Sequence, residues 1–187
     1  MFKPLILVLL LCTSYASAQS VAVEDVSKNL VAWTTHLNAD VDKYYTRDKA
    51  DELARSLGSF KQALALYTKT RKSLSDSVFR YNIAPGNKDP RNAELLRTQM
   101  GDIIREMRNV TDLTNNQLRE QGDRLNDQLF NVLNSEGTQF LSYLEAFLNG
   151  LSVTKKELAL DNGVTYDRLQ QSISQLTAAE NKVRSKR

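Results

Sequence analysis

The sequence predicts an all-α protein: an elongated bundle of about four to five long amphipathic helices with coiled-coil-like heptad seams. Three observations carry that expectation. Apolar residues recur at alternating steps of three and four along most of the chain, the period of one helix face. Glycine and proline are sparse, seven and three in 187 residues. No segment alternates apolar and polar residues as a half-buried strand would, and Lys, Glu, Gln, Leu and Ala are abundant.

The N-terminus reads as a cleavable secretory leader. Lys3 supplies a short positive region, and Leu5 to Leu11 form an apolar run. Ala16-Ser17-Ala18 then matches the small-x-small pattern of a cleavage site, which makes Gln19 the expected first mature residue. The run is too short for a membrane-spanning helix, which needs about 20 apolar residues. A lipoprotein reading fails because Leu11, not a small residue, precedes Cys12. Removing residues 1–18 leaves 169 residues, 19–187, the length of a single domain. The only cysteine, Cys12, leaves with the leader, so the mature fold is expected to rest on apolar burial without disulfides. A chain of this length buries roughly two-thirds of its surface, enough to do so.

The first helix is expected over about 21–45, where Val23, Val26, Leu30, Trp33, Leu37, Val41 and Tyr44 keep the helical step. Thr46 or Asp48 can cap the second, expected over about 48–82. Its seam positions read Leu53, Leu57, Phe60, Leu64, Tyr67, Arg71, Leu74, Val78 and Tyr81, apolar or aromatic at every place but Arg71. The segment Ile83 to Pro90 holds two of the three prolines and is the clearest loop. Asp89 is a good N-cap there, and Pro90 suits a first helical position because its missing N–H costs nothing.

The third helix starts at Pro90 and continues through Leu96, Met100, Ile103, Met107 and Val110. From Thr111 to Gly122 the pattern turns polar; with no proline or strong turn dipeptide present, a kinked but continuous helix is expected. Leu125, Leu129, Val132 and Leu133 resume the period. The most apolar stretch follows, Phe140 to Leu151, and a helix apolar over so wide an arc touches several neighbours, which places 138–149 at the bundle centre. Gly150 ends it. Thr154 and Glu157 form a capping box that opens a short helix, Asn162-Gly163 closes that helix, and Thr165 caps the last one, striped by Tyr166, Leu169, Ile173, Leu176 and Val183.

The residues available for chemistry exclude many function classes. The mature chain has one histidine, His36, beside the first seam, and it reads as a boundary residue. Di-iron bundles need two Glu-x-x-His motifs and ordinary zinc sites need Cys or several His. The seven glycines never cluster into a phosphate-cradling loop, and no serine has a Gly-x-Ser-x-Gly context. Asp40-x-Asp42 lacks the glycine and closing glutamate of a calcium loop. Asn109-Val110-Thr111 matches a glycosylation sequon. No enzyme activity, cofactor or metal is expected.

Without Lys3 the chain has 24 Lys and Arg against 22 Asp and Glu, too nearly balanced to suggest nucleic acid. Its basic residues do concentrate between Lys61 and Lys88, where Asp76 is the single acid. Lys61, Lys69, Lys72 and Arg80 lie off the seam and form either a plain solvated face or a basic docking face. Arg71, on the seam, is expected to lay its stem on the core and send its head outward. The expected function is that of an exported, non-enzymatic protein of the periplasm or extracellular space. It would act through protein–protein interaction as an adaptor, a chaperone-like protein or an apparatus component. The alternative is a bundle that binds lipid or a membrane surface, suggested by the apolar stretch 140–151 beside short hinges. Expected partners are a protein of the export compartment, an acidic surface or anionic lipid, or a second copy of the chain.

Overall fold

The computed structural model describes residues 26–43, 49–134 and 140–185. The expected leader with Ala16 and Ala18, the caps expected at Thr46 and Asp48, and Val23, Tyr44, Lys186 and Arg187 lie outside them. Among the described residues the protein is all-helical, with six helices and no strand. One isolated bridge joins Lys88 to Asn149. No helix among these residues is long and apolar enough to cross a membrane.

Residues 26–40 form α1, which tightens into a 3-10 turn at Val41–Lys43. Its stripe of Val26, Leu30, Trp33, Leu37 and Val41 is buried throughout. Trp33 meets Phe60 edge-on, with ring centroids 6.1 Å apart, and its indole N–H donates to the Leu118 carbonyl at 3.1 Å. The ring thus fills the core while its one polar atom is satisfied.

Helix α2, Ala50–Arg80, buries the seam positions Leu53, Leu57, Phe60, Leu64, Tyr67, Arg71 and Val78, with Leu74 partly covered, whereas the last expected position, Tyr81, falls beyond the helix end and is exposed. Asp51 and Glu52 at its start and Arg80 at its end complement the helix dipole. It stops through a local motif. Asn82 takes a left-handed φ of 50°, Ile83 N–H reaches back to Val78 O at 3.0 Å and Asn82 N–H to Phe79 O at 3.3 Å. This Schellman pattern satisfies carbonyls that the helix end leaves open.

Helix α3, Pro90–Asp112, starts as its sequence implies, with Asp89 accepting from Asn92 N–H at 3.3 Å. It does not continue through residues 113–124. The chain turns at Leu113-Thr114-Asn115 and returns as α4, Asn116–Asn134. The break is made by side chains. Asn115 Oδ1 caps Leu118 N–H at 3.1 Å, Thr114 Oγ1 bonds Thr111 O at 2.7 Å, and Arg119 donates to Asp112 O at 2.6 Å. Turning back lets Leu118, Leu125 and Leu129 bury, which a straight extension would leave without neighbours. Gly122 makes the close return possible: a Cβ there would stand 2.7 Å from Thr111 Oγ1.

The apolar stretch after Phe140 is helical only over α5, Tyr143–Leu148, a shorter helix than the 138–149 expected. Its position agrees with expectation, because Leu144, Ala146, Phe147 and Leu148 are buried between α3 and α6. Gly150, at φ +85°, ends it against Lys88. The capping box then opens α6, Lys155–Ser185: Glu157 accepts from Thr154 N–H at 2.8 Å and Thr154 Oγ1 accepts from Glu157 N–H at 3.2 Å. The expected stop at Asn162-Gly163 is absent, and α6 is one helix of 31 residues. Its partners on α2, described below, hold it on both sides of the glycine.

Hydrogen bonds fix the helix directions. Asn29 to Gln128 and His36 to Gln121 run α1 antiparallel to α4. Ser27 to Arg168 and Asn38 to Gln175 run it parallel to α6. Lys61 to Glu180 and Arg71 to Asp161 make α2 and α6 antiparallel. Helix α2 packs extensively against both α6 and α3.

Candidate functional site

Two features stand out from ordinary packing, and both lie along α2. The first is a buried cluster of charge. Arg71 points into the core rather than outward as its sequence context suggests; it is only 2% exposed. Its Nη2 donates to Asp161 Oδ2 of α6 at 2.6 Å, and its Nε donates to Ser142 Oγ at 3.1 Å and lies 3.7 Å from Glu145 Oε1 of α5. A buried guanidinium needs carboxylate partners, and two other helices supply them. Thr165 Oγ1 donates to Asp161 Oδ1 at 2.6 Å, Tyr67 OH donates to Glu145 Oε1, and Asn162 donates to Ser75 Oγ one turn beyond.

The electrostatics of this cluster follow from burial. Burial pushes the Glu145 carboxyl above its ordinary range, more strongly than Arg71 and the Tyr67 hydroxyl pull it down. Burial and then the Glu145 charge push the Tyr67 hydroxyl well up. Burial opposes the charge on Arg71, but Glu145, Asp161 and Tyr67 together hold its pKa above the usual value. Glu145 Oε2 is buried without a hydrogen-bond partner. Beside it lies a void of about 30 Å³, walled by Leu96, Met100, Val132, Leu133 and Phe140.

The second feature is the basic stripe. Its four residues do not share one environment. Lys61 is not part of a free face: its ammonium is 2.6 Å from Glu180 on α6, which also pairs with Arg184 at 2.7 Å. Burial pushes Glu180 up, yet hydrogen bonds from Lys61 and Arg184 outweigh it and leave the carboxyl below its ordinary range. Lys72 is exposed and paired with Asp76 at 2.8 Å, one turn on. Lys69 and Arg80 are exposed and have no ion-pair partner among the described residues. Lys69, Lys72, Asp76 and Arg80 line a groove of about 440 Å³ between α2 and α6, with Tyr166 and Gln170 on its far wall.

Other residues singled out by the sequence have simpler places. His36 is exposed, with Nδ1 3.3 Å from Gln121 Oε1, in a groove between α1 and α4. Asn109 is exposed beside buried Val110 and donates to Glu106 at 3.2 Å. No group of three His, Cys, Asp or Glu able to hold a metal ion occurs among the described residues. The buried cluster left one trace in the sequence, a cation where the α2 seam calls for an apolar residue. Glu145 and Asp161, 74 and 90 positions further on, carry no comparable signal. Comparison with protein-family models, curated proteins and solved structures finds no match to this chain.

Proposed function

We propose that this chain is an exported, non-enzymatic helical-bundle protein that acts through protein–protein interaction. It uses the α2–α6 groove to hold an acidic segment of a partner in the export compartment. The observation that carries this reading is the pair of exposed, unpaired cations, Lys69 and Arg80, on one edge of a groove whose only acid, Asp76, is engaged by Lys72. The two cations stand eleven positions apart on the helix, roughly 16 Å along its axis. That spacing suits an extended acidic segment better than a single small anion. The heptad spacing of the α2 seam, within an elongated bundle, supports the same architecture-based role, in which a stiff scaffold presents a surface.

The test uses residues 19–187 and their Lys69→Glu/Arg80→Glu variant. Binding to poly-glutamate is measured by sedimentation, together with binding to vesicles rich in anionic lipid, at low and raised salt. The wild-type chain is expected to bind poly-glutamate and to lose binding as salt screens charges beyond about 8 Å. The variant should bind severalfold more weakly with an unchanged helical circular dichroism signal. Binding to vesicles alone would favour the lipid reading instead. Equal binding by both proteins would remove the groove from consideration.

A further inference from the structure

We propose that the Tyr67–Glu145–Arg71–Asp161 cluster is a proton-operated latch that holds α5 in the core and loosens when Glu145 ionises. Two carboxylates, Glu145 and Asp161, share one buried guanidinium. The short contact, 2.6 Å, goes to Asp161, which also accepts from Thr165. Arg71 turns its Nε hydrogen to Ser142 and stands 3.7 Å from Glu145, beyond hydrogen-bond length. Glu145 is therefore the carboxylate without a full counter-charge, and one of its oxygens has no partner at all.

The groups facing Glu145 pull in two directions. Burial, the largest influence, and the charge of Asp161 on α6 disfavour its anion, whereas Arg71 and Tyr67 on α2 favour it. From α3 comes Arg97 at the rim of the adjacent void, half exposed and turned toward Glu94 at 3.9 Å. From α4 come only Val132 and Leu133. Burial outweighs Arg71 and Tyr67, so the docked Glu145 carboxyl holds its proton more tightly than a solvated one.

The element that Glu145 anchors is built to move as a unit. Helix α5 is six residues long, preceded by extended Ser142 and ended by Gly150 at φ +85°. Besides its apolar contacts, it is tied down by Tyr67 and Arg71 on one side and by Asp89 N–H to Leu148 O, 2.8 Å, on the other. Its release would uncover Leu144, Phe147 and Leu148, all buried in the latched state.

The direction of the pH effect follows from linkage. A carboxyl whose pKa is raised in the docked state holds its proton more tightly there than when released. The stabilisation is complete below the ordinary glutamate range and is lost as pH rises through the docked-state value. With one proton involved, the docking equilibrium falls by up to about tenfold per pH unit inside that window and then levels.

Hydrogen exchange on the full chain tests this between about pH 4 and about pH 8, with rates corrected for intrinsic pH dependence. Protection of amides 143–148 is compared with that of amides 60–68 in α2. In the wild type, α5 protection should fall relative to α2 as pH rises. Glu145→Gln should keep α5 protected across the range. Tyr67→Phe removes a donor that favours the ionised carboxyl, so it should move the fall to higher pH. A flat wild-type profile would overturn the proposal, since Glu145 would then ionise in place, hydrated through the adjacent void. A fall retained in Glu145→Gln, or one shared equally by α2, would also overturn it.

Discussion

Two polar stretches interrupt the apolar period of this chain, Asp112-Leu113-Thr114-Asn115-Asn116 and Asp161-Asn162-Gly163-Val164-Thr165. The first turns the chain back between α3 and α4, and the second runs straight through α6. Local chemistry alone argues the reverse. Asn-Gly is a strong turn signal, and a mid-helix glycine costs about 1 kcal/mol relative to alanine. The first stretch has neither glycine nor proline. The difference lies in what each neighbour gains. Around Gly163, Leu158 and Leu169 are fully buried and Asp161 is locked to Arg71, so a straight helix satisfies both sides. Beyond Asp112, only a reversal buries Leu118, Leu125 and Leu129. A helix breaks or continues according to the burial available on its far side, and local residues then supply the cap or bear the strain.

The largest expected effect comes from cutting the tie that keeps the second stretch straight. Arg71→Met preserves the stem and removes the charge, leaving Asp161 buried without its counter-ion. The loss should be about 3–5 kcal/mol at neutral pH, the range for breaking a buried pair from one side. Urea unfolding followed by circular dichroism measures it. A loss below about 0.5 kcal/mol, the level of an ordinary surface change, would mean that apolar burial alone holds α6 straight.

The first stretch has its own sensitive point at Gly122. A Cβ there would lie 2.7 Å from Thr111 Oγ1 and 2.8 Å from Thr111 Cγ2. Thr111 is fully buried and its hydroxyl is already bonded to Met107 O at 2.8 Å, so it has little room to yield. Gly122→Ala should therefore cost about 1–3 kcal/mol, the range for overpacking, despite alanine's better helix propensity. Denaturant midpoints of the two proteins decide the sign.

These two cases show which parts of the molecule were legible in its sequence. The α2 seam, the Asp89 cap, the Thr154–Glu157 capping box and the end at Gly150 were readable because each depends on residues within one or two turns. The break at 113–115 and the continuity at 161–165 were not, because each depends on burial contributed from far along the chain. The candidate site divides the same way. Arg71 showed itself as a cation on an apolar seam, but an outward head is the ordinary outcome for a lone cation, and only the fold brings Asp161 and Glu145 to it. Lys61 read as solvated because its partner, Glu180, lies 119 positions away. Lys69 and Arg80 required no distant partner, and they are exposed as their positions off the seam implied.

Removing the cap at the first stretch should have a smaller effect than overpacking it. Asn115 Oδ1 accepts Leu118 N–H at 3.1 Å, one of the four amides that a helix start leaves open. Asn115→Ala should cost about 1 kcal/mol, and Asn115→Asp or Asn115→Ser should recover most of it. A cost near that of Gly122→Ala would mean that the cap drives the reversal and that burial only follows.

The smallest expected effect has the opposite sign and tests the second stretch directly. Gly163 is exposed, lies inside α6 with ordinary helical geometry, and has no atom within 4 Å of where a Cβ would stand. Nothing in its surroundings requires glycine, so it contributes only the flexibility that a helix interior must lose on folding. Gly163→Ala should therefore raise stability by about 0.5–1 kcal/mol, and Gly101→Ala in α3, with equally open space, serves as the matched control. Gly163 differs from the control in following Asn162, whose side chain is held by Ser75. If both substitutions stabilise equally, α6 is straight in solution and the Asn-Gly pair is a tolerated local conflict. If Gly101→Ala stabilises and Gly163→Ala destabilises, the glycine is needed for a left-handed turn, and a broken form of α6 is populated alongside the straight one.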